Sequence, residues 1–279
     1  MTDPLITTDT LASLLGAPGL RPVDASWFLD GRDARAAFEA AHVPGAVFFD
    51  IDANSDRTSP LPHMLPTPEA FAAAAGALGI EVSDQIVVYD QQGLFSAARV
   101  WWTFRAMGAE RVQVLDGGLP KWLAEGRPVE SGPARPAEAR FRAAFQPELV
   151  RDFASVLRNV DDRGFQLLDA RPAARFRGEA PEPRAGLRSG HVPGSLSTPF
   201  GALLNPDGTM KDAEGLRQAF AVARVDLARP ITTSCGSGVT AAIVALGLAR
   251  LGRWDVPVYD GAWAEWGSRE DAPVATSTG

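Results

Sequence analysis

The chain carries a single cysteine, Cys235, and it lies in a run of small residues, TTSCGSGVTAA at 232–242. A cysteine kept for packing belongs inside an apolar run. This one follows PITTS and precedes GVTAAIVALGLARL. That pattern reads as strand, short loop and helix, with the sulfur at the first loop position. Gly236, Ser237, Gly238, Val239 and Thr240 are small enough for the backbone to curl, so that several N–H groups converge. The following helix adds its unpaired N-terminal donors and the positive end of its dipole. An ordinary thiol, with a pKa near 8.5, is only about 3% thiolate at pH 7, so nucleophilic use needs such stabilisation. The competing reading is a buried, inert thiol at a strand end. The loop composition weighs against it.

Two other segments hold groups that could do chemistry. RFRGEAPEPR at 175–184 places Arg175, Arg177 and Arg184 in ten residues with no core pattern. It reads either as a solvated basic loop or as a site for paired oxygens, which the planar guanidinium fork matches. DIDANSDRTSPLPHMLP at 50–66 is rich in turn formers and contains Asp52 and His63. His42, His63 and His191 are far apart in sequence and show no metal-ligand spacing. One cysteine forbids an intramolecular disulfide and a thiolate zinc site built from this chain alone. Neither a metal nor another cofactor is expected.

The elements that must position these residues occur twice. HVPGA at 42–46 returns as HVPGS at 191–195, and RPVDAS at 21–26 returns as QLLDAR at 166–171. IVVYD at 86–90 matches ITTSC at 231–235, and VLDGGLPKW at 114–122 matches VYDGAWAEW at 258–266. The repeats imply two related domains, at 1–130 and 148–279. Residues 127–147 hold four prolines and little periodicity, and the linker is placed at 131–147. In the first half RPVDA, AVFFD, IVVYD and VQVLD read as strands. RDARAAFEAA, PEAFAAAAGAL and LFSAARVWWTFRAM read as helices. Such alternation predicts α/β domains with mainly parallel sheets, which bind ligands beyond the carboxyl ends of their strands. Cys235 stands at such an end. Its counterpart is Asp90, so only the second domain offers a thiol there. The histidines of the matched HVPG repeats and the recurring tryptophans (Trp101, Trp102, Trp122, Trp263, Trp266) are expected to serve packing.

Bulk properties narrow the field further. The 279 residues carry a formal net charge of -7, with no sustained basic run, so no nucleic-acid partner is expected. No apolar stretch reaches the roughly 20 residues of a membrane span. The start, MTDPLITTDTLASLL, lacks the basic and apolar regions of a signal peptide. A cytoplasmic location is the expectation.

With these residues in view, the sequence resembles the tandem-domain rhodanese-type sulfurtransferases, and most closely their 3-mercaptopyruvate-using branch. The resemblance rests on HVPGAVFFDID, SDRTSPLPHMLP, VWWTFRAMG, LDGGLPKW, RFRGEAPEPR, GHVPGS, CGSGVTA and VPVYDGAWAEW. CGSGVTA discriminates most, because thiosulfate-specific relatives usually carry Arg-Lys where Gly236 and Ser237 stand. The resemblance implies two rhodanese-like domains, the second catalytic. It also implies a ping-pong reaction: Cys235 takes sulfur from 3-mercaptopyruvate, releases pyruvate, and passes the sulfur to a thiol such as thioredoxin, or to cyanide. Arg175 and Arg184 would bind the carboxylate and carbonyl end of the substrate, with the 236–240 loop, including Gly236, Gly238, Val239 and Thr240, around its sulfur. Asp52, His63 and Ser237 match a proposed relay that protonates the departing enolate. The alternatives are a thiosulfate sulfurtransferase and a non-enzymatic sulfur carrier or regulatory binding module. A cysteine phosphatase is disfavoured, since such loops end in arginine and the sixth residue after Cys235 is Ala241.

Overall fold

The computed structural model describes residues 3–276. The chain forms two compact units. Unit 1 comprises residues up to Arg57, Leu65–Gln146 and Asn205–Met210; unit 2 comprises Thr58–Met64, Pro147–Leu204 and the chain from Lys211 onward.

Unit 1 contains β1 (Leu5–Ile6), α1 (Thr8–Leu14), β2 (Leu20–Asp24), α2 (Ala34–Ala40), β3 (Val47–Phe48), α3 (Pro68–Ala77), β4 (Gln85–Tyr89), α4 (Ala97–Ala106), β5 (Val112–Leu115) and α5 (Gly118–Ala124). Unit 2 repeats the order with β6 (Val150–Arg151), α6 (Phe153–Asp162), β7 (Gln166–Asp169), α7 (Ala173–Phe176), β8 (Leu196–Ser197), α8 (Ala213–Val222), β9 (Ile231–Ser234), α9 (Ala241–Arg250), β10 (Val258–Tyr259) and α10 (Ala262–Trp266). Each unit has a five-stranded sheet, ordered β1-β5-β4-β2-β3 and β6-β10-β9-β7-β8, and all the described pairings are parallel. Val88 of β4 pairs with Val23 and Val114, and Thr233 of β9 with Leu168 and Val258. A strand paired on both edges and covered on both faces favours apolar residues throughout. IVVY of β4 fits that preference, and all four of its residues are buried.

Helix starts follow side-chain chemistry. Thr7, Asp33, Thr67, Asp152 and Asp212 each accept from a backbone N–H in the first turn of the helix they precede. The helices after β4 and β9 differ: neither Ser96 nor Thr240 makes a side-chain cap. The N-terminal donors of α4 and α9 are therefore left for other partners. The sequence pattern predicts a helix over 94–107, but α4 starts only at Ala97, because residues 91–96 wrap around the Asp90 side chain (below).

The proline-rich stretch placed as linker does not hang free. Ala139 N–H donates to Gly76 O, Ala144 N–H to Met107 O and Gln146 N–H to Ala106 O. Phe141 is buried edge-on against Phe71 and Phe104. Residues through Gln146 thus form an outer layer of unit 1. The tryptophans Trp101, Trp102, Trp122, Trp263 and Trp266 are fully buried. His42 and His191 play matched parts, each stacked on a phenylalanine (Phe38, Phe176), with Nδ1 2.8 Å from that residue's carbonyl oxygen.

Candidate active site

β9 delivers Cys235 at its carboxyl end. The thiol is 2% exposed, and Ser237 and Val239 are also buried. Gly238 turns the loop with φ +79°, a left-handed conformation that favours glycine. The loop is pinned from behind. Cys235 O accepts from Trp263 N–H and Gly236 O from Ala264 N–H, both at 2.9 Å. The first turn of α10 therefore fixes the carbonyls on either side of the peptide that follows the thiol. Ala262, which opens α10, holds a left-handed φ of +50°. A non-glycine residue there is strained, a feature that recurs at functional sites.

The RFRGEAPEPR segment meets this loop within unit 2. Arg175 lies on α7, and its Nη2 is 3.0 Å from where a Cβ on Gly236 would stand. Gly236 has an ordinary φ, so the close approach of the guanidinium is what calls for glycine here. The Nε–Nη2 edge of Arg175 faces Glu182, with Nε donating to Oε1 at 3.3 Å and Nη2 to Oε2 in a tighter contact. Arg171 Nη1 donates to the same Glu182 Oε1 at 2.8 Å. Arg171 is itself anchored by Asp169 and by Gly190 O, and it lies 4.2 Å over the Trp263 ring. Arg184 Nη2 is 3.3 Å from His63 Nε2. Arg177 turns away to pair with the exposed Glu179.

The remaining sequence candidates are distributed as follows. His63, with a left-handed φ of +60°, and Ser237 are buried in unit 2. Asp52 belongs to unit 1, where its Oδ2 accepts from Trp27 Nε1 at 3.0 Å. Sequence reasoning missed Glu182, Arg171, Asp169 and the α10 N–H groups. The segment contains Glu179 and Glu182 three residues apart, and nothing in the pattern says which one is buried. Among the described residues there is no cluster of three or more side chains suited to a metal, and no helix long and apolar enough to cross a membrane.

In unit 1 the corresponding position is filled. The Asp90 carboxylate accepts from the N–H groups of Gln92 at 2.8 Å, Phe95 at 2.7 Å and Ala97 at 2.9 Å, the last being the first residue of α4. Asp90 O accepts from Leu119 N–H of α5 at 2.9 Å, as Cys235 O does from Trp263. Gly118 matches Ala262 with φ +54°, and a Cβ on it would lie 2.5 Å from Asp90 O.

Comparison with known proteins agrees with this architecture. Residues 7–125 and 152–269 each match the rhodanese-like domain. The human 3-mercaptopyruvate sulfurtransferase is 48% identical over 94% of this chain and 91% of its own length. The Arabidopsis thaliana thiosulfate/3-mercaptopyruvate sulfurtransferase 1 is 46% identical over 98% of this chain and 78% of its own. The crystal structure of SseA from Escherichia coli, a 3-mercaptopyruvate sulfotransferase, superposes with a TM-score of 0.87 at 43% identity, covering 94% of this chain and 99% of that one. A doubled parallel-sheet domain, with one thiol at the end of the second central strand, places this chain in the tandem-domain rhodanese-type sulfurtransferases.

Proposed function

We propose that the protein is a 3-mercaptopyruvate sulfurtransferase acting through a persulfide on Cys235. The thiolate attacks the thiol sulfur of 3-mercaptopyruvate. A sulfur–sulfur bond forms and the carbon–sulfur bond breaks, its electron pair passing to carbon as the enolate of pyruvate. The proton formerly on the substrate sulfur ends on that carbon, so the products are pyruvate and the Cys235 persulfide. The outer sulfur then passes to a thiol acceptor such as reduced thioredoxin, or to cyanide.

The observation that carries this reading is the approach of Arg175 to Gly236, one residue from the nucleophile. A cation there suits the carboxylate of a small 2-oxo acid, with Arg184 as the second anchor. The same geometry bears on the donor. A Cβ at position 236 would press on the Arg175 guanidinium at 3.0 Å, so the glycine suits carboxylate binding better than the Arg-Lys loop of thiosulfate-specific relatives does. Gly236, Gly238, Val239 and Thr240 would surround the transferred sulfur with backbone donors. Ser237, with His63 in the same unit, would protonate the enolate. The chemistry needs a free thiol, which suits the reducing cytoplasm.

The test is steady-state kinetics of wild type and Ser237→Ala with 3-mercaptopyruvate and with thiosulfate. Thiosulfate leaves no enolate, so loss of a general acid should depress mercaptopyruvate turnover about 100-fold and thiosulfate turnover far less. Equal losses with both donors remove the proton-delivery role. A wild type that moves sulfur from thiosulfate alone favours the thiosulfate alternative.

A further inference from the structure

From the geometry around Arg175 we propose that Glu182 is a positioning residue for the sulfur-donor half of the reaction, acting through that arginine. The inference rests on the donor reading above. Glu182 is the only member of RFRGEAPEPR whose carboxylate reaches two guanidinium groups, and its side chain is 1% exposed. One partner, Arg171, is also 1% exposed and immobilised on all sides. Asp169 takes its Nε and Nη2 at 3.0 and 2.6 Å, Gly190 O takes Nη2 at 2.8 Å, and the Trp263 ring lies beneath it. Trp263 also donates its backbone N–H to Cys235 O. The fixed end of the chain of charges is therefore tied to the backbone of the nucleophile loop.

The other partner, Arg175, has a half-buried residue environment and a long side chain that could take many rotamers. Glu182 grips the Nε–Nη2 edge of its fork. A guanidinium offers two binding edges. With that edge held, Nη2 is kept beside Gly236, and Nη1 is left for an incoming anion. Leaving Arg175 ungripped would cost side-chain entropy each time a donor binds. Glu182 and Arg171 remove that cost in advance.

A ping-pong mechanism separates this role from a merely structural one. For the donor, kcat/KM reports only sulfur uptake; for the acceptor, it reports only sulfur release. Glu182→Gln should lower donor kcat/KM for 3-mercaptopyruvate about 10- to 100-fold, mostly through KM, and leave acceptor kcat/KM within about threefold. Glu182→Asp keeps the charge but shortens the reach, and should fall between Gln and wild type. Combined with Arg175→Ala, the Glu182→Gln change should cost almost nothing more, because its effect runs through the missing arginine. Equal losses in both half-reactions, or losses that add fully in the double variant, would overturn the proposal. So would unchanged donor kinetics in Glu182→Gln. Failure of the donor reading shows separately, as a wild type that releases no pyruvate from 3-mercaptopyruvate.

Discussion

The loops that follow β4 and β9 solve one geometric problem in opposite ways. Both leave the central strand of a five-stranded sheet of the same order, both lead into a helix whose N-cap residue makes no side-chain cap, and both are pinned by an N–H in the first turn of the helix after that. In unit 1 the residue at the strand end is Asp90, and its carboxylate takes three backbone N–H groups for itself. In unit 2 it is Cys235, which has no carboxylate oxygens to offer, and the small residues after it replace Gln91, Gln92, Leu94 and Phe95. The carboxylate oxygens stand three bonds from Cα, as the outer sulfur of a cysteine persulfide does, and both groups can carry a negative charge. Unit 1 thus contains a permanent, unreactive counterpart of the intermediate proposed for unit 2. The fold presents the strand-end position twice, and in unit 1 a carboxylate fills it.

Replacing the nucleophile by its counterpart tests this most severely. Cys235→Asp should abolish sulfur uptake, seen as loss of the mass increase of about 32 Da that 3-mercaptopyruvate causes in the wild type. It should still fold, because Asp90 occupies the same strand-end position in unit 1. A misfolded Cys235→Asp variant would break the equivalence of the two loops, provided Cys235→Ser folds.

The reciprocal change has a smaller effect. Asp90→Ala leaves three backbone donors, only that of Ala97 fully buried, without their acceptor, and should destabilise the protein by about 2–3 kcal/mol in urea denaturation. Cys235 should still load with sulfur under conditions where the variant is folded. A loss under about 1 kcal/mol would show that the carboxylate does not organise the loop.

A third test concerns the aspartates that end the neighbouring strands. Asp169 is locked to Arg171, whereas its counterpart Asp24 is held by the neutral Ser26, Gln91 and Tyr89. Burial raises the Asp24 carboxyl from 3.8 to about 6, against the hydrogen bonds that favour its charge. The folded chain therefore binds that proton more tightly than the unfolded chain. The resulting stability is complete below about pH 4 and is lost as pH rises to about 6, roughly 3 kcal/mol in all. Asp24→Asn should flatten this part of the profile, measured as the difference between wild-type and variant denaturation free energies at pH 4.5 and 7. Parallel wild-type and variant profiles would mean that Asp24 titrates normally.

Much of this protein is legible in its residue order. The 2-fold repeat, the buried parallel strands, the tryptophans inside and the thiol at a strand end all follow from local periodicity and small-residue patterns, which act over a few residues. RFRGEAPEPR shows that arginines gather, but not what each one meets. Arg177 goes to an exposed partner, while Arg175 is held over Gly236 by a glutamate seven residues on. The stretch through Gln146 reads as a tether because prolines break periodicity, yet its N–H groups find carbonyls on α3 and at the end of α4, and Phe141 finds a core. The placement of Thr58–Met64 with unit 2, and of Asn205–Met210 with unit 1, is likewise invisible in sequence order. Residue order determined which elements form and where a reactive sulfur stands. Only the tertiary structure decided which carboxylate is buried and which guanidinium it holds, because those choices depend on desolvation and contact between segments far apart in the chain.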